Sequence, residues 1–498
     1  MRFGIACFMC GISGCSTAPR SDVGASSALV SPFATEMASL GPIGWWRLGE
    51  LSGVTAADSG SGNHPGSYIN FASGQHAVAG AIPGDADGAI AISPTTGNYV
   101  EVGNQDAFSL SKANDSFDRT LANGWGTADH GGAWTPEVTT TTTYYSTDGS
   151  HAAITESVSG TWQIGLEDVQ RADADIQVRA SWNQAPSATD PTIAPLAIIA
   201  RRSRDNSNSY RAELQEDHSG ALSLRFVKVV AGMSSPIGTP ISLGATYAVN
   251  TWWYVRFQLA GPTLRARAWR STDPEPTGWT ITVTDSAISG PGSVSIRSTN
   301  SGASARPIVL FEGLRIQSVG MTVHGFMKPT VPDFNAGNYI YWLGKGATPQ
   351  AEWALRFYPS SSDRPNRMSG YAWNLTGTPA NPTNQGAGAY YQPDGGVSAI
   401  WYELVVVYDP GDWMDTQAGV SIYVNGRCQQ GSRCPAVHED PAVYYKTSPY
   451  LVYPLYGTDP LRIGTRERST FFTGDIDEIA VFDRALDDSE IAALHTSL

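Results

Sequence analysis

Side chains able to do chemistry fall into three groups along the 498-residue chain. Carboxylates gather at Gly474-Asp475-Ile476-Asp477-Glu478. Strand alternation places Asp477 with Ile479 and Val481 and sends Glu478 to the opposite face, so the two do not form the acid and nucleophile of a glycosidase. Aromatic rings, which can stack on the apolar face of a pyranose, occur in loop-like stretches: Tyr144 and Tyr145 after a Thr run, Tyr390 and Tyr391 beside Gln392, Trp413 in a Gly-Asp-Trp loop, and Tyr444 and Tyr445 after His438-Glu439-Asp440. These seven are the candidate ligand-binding residues, set against the commoner use of aromatic pairs in β proteins as core or cross-strand packing. Catalytic signatures are otherwise missing: there is no His-Glu-x-x-His helix, no Gly-x-Ser-x-Gly elbow and no phosphate-cradling Gly-rich loop. The eight His residues are scattered, without a partner at ligand spacing, and no catalytic residue is assigned.

The third group is cysteine. The N-terminus, MRFGIACFMCGISGCS, has one Arg, a short apolar run and then small residues, the layout of an export signal. Ile12-Ser13-Gly14-Cys15 resembles the bacterial lipobox, which implies cleavage after residue 14 and lipidation of Cys15. Cys7 and Cys10 would then leave with the leader, and only Cys428 and Cys434 remain, flanking QQGSR and able to close it as a disulfide in an oxidising compartment. The expected location is outside the cytoplasm: a membrane-anchored lipoprotein at the cell surface or in the periplasm, or a secreted protein. Membrane contact would come through the lipid alone. A formal charge of −14 opposes attraction to phosphate backbones, so nucleic acid is excluded as the main partner.

The elements that must position these groups are strands. Charged residues make up only 16% of the chain, and Gly, Thr, Ser, Trp and Tyr are plentiful. ADIQVRASW, SYRAELQ, ALSLRFVKVV and WWYVRFQLA alternate apolar and polar side chains, as strands with one buried face do. The fold class is all-β. One helix is expected near the end, where Asp487 precedes Glu490 by three residues and IAAL follows, a capping-box pattern.

WWRLGELSGVTAADSGSGNHPGSY (45–68) and FTGDIDEIAVFDRALDDSEIAAL (472–494) resemble the two ends of a laminin-G-like, concanavalin A-like jelly roll of the bacterial secreted type. TVHGFMKP, NYIYWLGKG, EWALRFY, WYELVVVYDP and GVSIYVNGR are similar to its later strands. Between the ends, DSFDRTLANGWGTADHGGAWT with YRAELQ, GWTITVTD and FEGLRI is similar to a second concanavalin A-like sandwich, known from secreted actinobacterial and phage tail proteins. The resemblances imply two jelly rolls, one nested in a loop of the other. The expected boundaries are a signal over 1–14, a Ser/Ala-rich tether over 15–37, a discontinuous jelly roll over 38–112 and 320–498, and an inserted sandwich over 113–319.

The resemblance also implies a structural calcium ion where the first and last strands meet at the rim, with Glu50, Asp58 and Asp477 as ligands. The competing reading leaves Glu50 and Asp58 in polar turns, with Asp58 serving its own backbone. The expected function is non-catalytic surface recognition, a lectin-like binding of glycans or of surface proteins in adhesion. Two readings stand beside it: a structural spacer or phage-tail or envelope component, and a polysaccharide hydrolase or lyase whose site is dispersed in sequence.

Overall fold

The computed structural model describes residues 31–137, 142–156, 160–184, 195–276, 278–300, 308–330, 337–348, 350–362, 364–373, 386–393, 396–409, 419–431, 433–434 and 456–498. Cys15, Trp413, Tyr444 and Tyr445 lie outside these residues, as does nearly all of the expected signal and tether.

Among the described residues the strands form four antiparallel sheets, which make two sandwiches. In the terminal sandwich, one sheet runs in the order Arg427–Gly431, Gly419–Val424, Tyr402–Asp409, Met321–Pro329, Gly474–Phe482, Gly88–Ile92, Val78–Ala79, with Gly44–Trp46 also paired to Gly474–Phe482. Its partner sheet runs Thr55–Ala56, Gly66–Ile69, Tyr99–Val102, Leu461–Ile463, Ile340–Lys345, Trp353–Phe357, Met368–Trp373, Gly386–Tyr391. Trp46, Trp342, Trp353, Leu355, Val406, Ile422 and Ile479 fill the space between them.

All the strands of the central sandwich lie between Ser111 and Gln317. Its first sheet is built around Ala174–Trp182, flanked by Trp253–Ala260 and Ile308–Gln317. Its second sheet runs Met233–Thr246, Ala221–Val230, Ser209–Glu216, Leu196–Arg202, Gly292–Asn300, Gly160–Arg171, Trp134–Pro136. The two sandwiches touch through Arg171 and Lys112, both paired with Asp483, and through the ring of His130 stacked 3.4 Å from that of Tyr456.

The alternation read from the sequence is visible in the burial: in Ala174–Trp182, Ile176, Val178, Ala180 and Trp182 join the core, as period-2 geometry requires. The C-terminal helix Asp488–Thr496 has Asp487 as its N-cap, with the reciprocal bond from Glu490 in place. A second helix, Pro32–Leu40, corrects the expectation of a tether through residue 37. Ser31 caps it, Pro32 fits its first turn, and Phe33, Ala34 and Met37 pack with Trp45, Phe326 and Phe482 on the outer face of the first terminal sheet. Its signal, Ser-Pro ahead of FATEMASL, was hidden by the Ser/Ala-rich composition around it.

Candidate functional site

Four segments make a cleft at the open edge of the terminal sandwich. Gly419–Val424 and Arg427–Gly431 are joined by Asn425-Gly426, whose φ values of 50° and 71° are those that an Asn-Gly two-residue hairpin supplies at least cost. A Cys428–Cys434 disulfide ties down the returning strand. Gly386–Tyr391, the outermost strand of the other sheet, is held against it by the Tyr390 amide donating to Gln430 Oε1 at 2.5 Å. The last turn of the C-terminal helix closes one end through His495, which lies against Gly426.

The cleft between them has a volume of about 470 Å³, and Tyr391, Ser398, Ile400, Asn425, Arg427 and Gln429 line it together with His495. Apolar surface comes from half-buried Tyr391 and exposed Ile400, with Pro393 and Val424, and the other side chains that line it carry hydrogen-bonding groups. Asn425 Oδ1 accepts from the Glu403 amide at 3.1 Å, which directs the Asn425 side-chain amide away from that bond. Ser398 is fixed by Tyr402, whose hydroxyl accepts from the Ser398 amide at 3.0 Å. No carboxylate lines the cleft among the described residues.

Behind it runs a chain of groups that sequence reasoning missed. His495 Nδ1 lies 2.6 Å from Glu403 Oε2, Glu403 Oε1 lies 3.3 Å from His324 Nε2, and His324 Nδ1 lies 3.1 Å from the Glu478 carbonyl. Glu403 and His324 are buried, whereas His495 is 39% exposed in its side chain. The three residues stand 79 and 92 positions apart, so no local spacing could have announced them.

The aromatic candidates separate. Tyr391 faces the cleft, but its neighbour Tyr390 points the other way and is 3% exposed, packed with Tyr341, Tyr358, Tyr371 and Trp373. Tyr145 is a core residue of the central sandwich, its hydroxyl donating to the Gln163 carbonyl at 2.9 Å. Tyr144 is half-buried and meets Trp162 edge-on. Tyr390 and Tyr145 therefore cannot stack on a ligand: adjacent residues on a strand take opposite faces, and in both pairs one ring goes to packing.

The expected calcium ligands are not assembled. Asp58 accepts from the backbone amides of Trp45, Gly60 and His64 at 2.6 to 2.7 Å, a turn-stabilising role that consumes its oxygens. Glu50 is taken by the Ala57 amide at 2.7 Å and the Tyr68 hydroxyl at 2.5 Å. Asp477 is buried and accepts from the Ala81 amide at 2.7 Å. Among the described residues no three His, Cys, Asp or Glu side chains group as metal ligands.

The alternation argument for this strand is also corrected. A bulge at Glu478, where φ is 51°, breaks the period: Ile476 and Ile479 both enter the core, while Glu478 meets the Trp45 indole and Asp477 the Ala81 amide. Glu478 accepts from Trp45 Nε1 at 2.5 Å and from Arg47 Nε at 3.1 Å. Burial pushes Glu478 up to about 8, and burial with the neighbouring Glu478 pushes Asp477 well above the carboxylate range.

Residues 307–492 match the Laminin_G_3 model of the concanavalin A-like lectin/glucanases superfamily. No curated protein matches the chain in sequence. Similar solved structures include the carbohydrate-binding module CBM66 from Bacillus subtilis, 15% identical, covering 37% of this chain and 95% of its own, with a TM-score of 0.26. The catalytic domain of an endo-1,3-β-glucanase (laminarinase) from Thermotoga petrophila is 9% identical over 41% of this chain and 95% of its own, with a TM-score of 0.30. Domains LG4-5 of the mouse laminin α1 chain are 12% identical over 67% of this chain and 93% of their own, with a TM-score of 0.21.

Proposed function

We propose that the protein is a non-catalytic recognition protein that binds a glycan in the cleft between Tyr391 and the Asn425-Gly426 hairpin. The observation that carries this reading is the cleft's composition: the half-buried ring of Tyr391, with that of Tyr402 buried behind it, and the exposed Ile400 side chain beside amide, guanidinium, imidazole and hydroxyl groups, with no lining carboxylate among the described residues. Such a set stacks on a sugar ring and reads its hydroxyls but lacks the paired acids of hydrolysis. The match of residues 307–492 to a superfamily that includes lectins supports it. Export with lipidation at Cys15 belongs to the same proposal, supported by the disulfide at Cys428 and Cys434, a bond that persists in oxidising compartments. The central sandwich is read as an insertion, supported by terminal sheets that draw strands from both sides of it.

Titration of the full chain with neutral oligosaccharides selected from a glycan array tests the proposal. Tyr391→Ala is expected to weaken binding about tenfold, and Arg427→Ala and Gln429→Ala by smaller factors. Absence of binding by well-folded protein, or binding indifferent to all three substitutions, removes the cleft reading. A second reading rests on His495, because a histidine held at Nδ1 by a buried carboxylate and opening onto a cleft is placed as a general base. Release of reducing ends or unsaturated sugars by the wild-type chain, abolished in His495→Ala, would make the protein an enzyme instead.

A further inference from the structure

The outer face of the second central sheet carries a polar furrow that its strand register lays out row by row. Gln163 pairs with Arg297, Arg297 with Ala197, Ala197 with Glu213 and Glu213 with Arg225, so these side chains cross the strands in one line. Two residues along, Gly165, Ser295, Ile199 and Arg211 make the adjacent line. The residues between them, Ile164, Ile296, Ile198 and Ala212, point into the core, which puts both lines on the outside. Gly165, Ser295 and Ala197 make a low floor: a Cβ on Gly165 would lie 2.4 Å from Ser295 Oγ.

The charges on this face do not balance internally. Arg225 pairs with Glu213 at 2.7 Å, and Arg202 pairs with Glu167. Arg211 and Arg297 form no ion pair at contact distance among the described residues, and Arg297 donates to the hydroxyls of Thr299 and Thr161, each at 3.3 Å. Burial first, and Arg297 beside it second, bring the Arg211 guanidinium down to about 10, while burial lowers Arg297 as well. Two guanidinium groups are held near each other, and the carboxylates that act on them, Glu213 and Glu137, are already engaged by Arg225 and by the Asn206 side-chain amide. Like charges so placed cost free energy that a bound anion would offset.

Among the described residues, three polar atoms on the same face have no hydrogen-bond partner: Ser295 Oγ, Arg202 Nε and Arg211 Nε. Ser295 is fully buried and Arg202 is 5% exposed, so these groups sit in the floor and wall of the furrow rather than in open solvent. Buried donors left unmade are expensive, and native structures rarely keep three of them together without a ligand or water.

We propose that this furrow is a second binding site, for an acidic saccharide: Arg211 and Arg297, both partly exposed, clamp its carboxylate or sulfate above a floor that includes Ser295 and Gln163. Glu213 and the threonines add acceptors and donors of the kind a hydroxylated ring uses, and the furrow's two lines hold no aromatic ring for a nucleobase to stack on. The chain's charge of −14 does not forbid an anion here, because beyond about 8 Å physiological salt screens the rest of the surface. The site is independent of the Tyr391 cleft and stands or falls without it.

Calorimetric titration of the full chain with tetragalacturonate, a sulfated disaccharide, cellotetraose and inorganic sulfate is the test. A carboxylated or sulfated saccharide is expected to bind, and which of the two binds tighter identifies the anionic group. Arg211→Gln and Arg297→Gln should each weaken that binding about ten- to hundredfold, while Tyr391→Ala leaves it unchanged. Should Arg211→Gln fail to fold, Arg297→Gln decides, since its side chain is partly exposed and holds only two hydroxyl contacts. The proposal is overturned if no acidic saccharide binds folded protein, if binding survives both arginine substitutions, or if inorganic sulfate binds as tightly as the saccharides. Loss of cellotetraose binding in Tyr391→Ala alone would bear on the cleft and not on the furrow.

Discussion

Both sandwiches set arginines on the outer face of a sheet, and they satisfy them differently. In the terminal sandwich Arg356 lies among the rings of Tyr371 at 4.4 Å, Tyr339 at 4.5 Å, Tyr358 at 4.8 Å and Trp373 at 5.2 Å, and its Nη2 donates to the Tyr358 hydroxyl at 2.7 Å. In the central sandwich Arg211 has no such shell, and its lateral neighbours on the face are Ile199 and Val227, with Ser295 beyond Ile199. One fold thus presents two surfaces. Where aromatic side chains recur at every second position, as in Tyr339 and Tyr341 or Tyr371 and Trp373, the cation is absorbed into packing. Where Gly, Ser and Ala recur instead, it remains available to a partner.

The largest expected effect comes from removing the packed cation. Arg356→Ala leaves the rings around an empty volume and is expected to cost about 4 kcal/mol of unfolding free energy, while Arg356→Met, which refills the space without a buried charge, restores most of it. Arg211→Ala should change stability by less than about 0.5 kcal/mol. Denaturant unfolding of the full chain followed by tryptophan fluorescence would show this. Equal costs for the two alanine variants would break the comparison, because Arg211 would then be packing as Arg356 does.

The sequence disclosed what depends on local order and concealed what depends on convergence. The alternation in ADIQVRASW and the Asp487 to Glu490 box were legible because each is a contact between near neighbours in sequence. The helix at Pro32–Leu40 was missed because a nine-residue helix stabilised by tertiary packing carries little propensity signal of its own. Within the cleft, Tyr391 was found as an aromatic pair, but which member of the pair faced outward depended on strand parity. The Glu478 bulge shows how one extra residue defeats a parity argument. His495, Glu403 and His324, like Arg211, Ser295 and Arg297, meet only through pairing across distant strands or against the last helix, and no motif spacing encodes that.

Buried acids offer a second contrast between the sandwiches. Glu478 has Arg47 beside it, whereas Glu156 and Glu216 in the central sandwich are buried with no cation pairing either one among the described residues, and only Ser298 donates to Glu156. Burial pushes Glu156 up to about 7, and burial with the nearby Glu156 pushes Glu216 up to about 8. Raised carboxyl values mean that the folded state holds protons the unfolded state releases. Their contribution is fully present below the unfolded value near 4.5 and is lost as pH rises through about 7 to 8. The wild-type chain should lose stability progressively between about pH 4.5 and pH 8 relative to Glu156→Gln/Glu216→Gln, whose stability stays flatter. Melting curves at three pH values would read this, and parallel pH profiles for the two proteins would refute it.

The smallest expected effect concerns the disulfide that separates the cleft from the furrow in chemistry. Cys428 and Cys434 are six residues apart, so reduction frees only a short loop and should cost about 2 kcal/mol. The bond nonetheless anchors the strand that carries Arg427 and Gln429, whereas the furrow's rows lie between Gln163 and Arg297 and contain no cysteine. Reduction, or Cys428→Ser/Cys434→Ser, should therefore weaken glycan binding in the cleft several-fold while leaving acidic-saccharide binding by Arg211 and Arg297 unaltered. Measuring both titrations on one reduced sample makes each site the control for the other. If both affinities fall together, the two surfaces are coupled through the contacts of Asp483 with Lys112 and Arg171, and the sandwiches act as one binding unit.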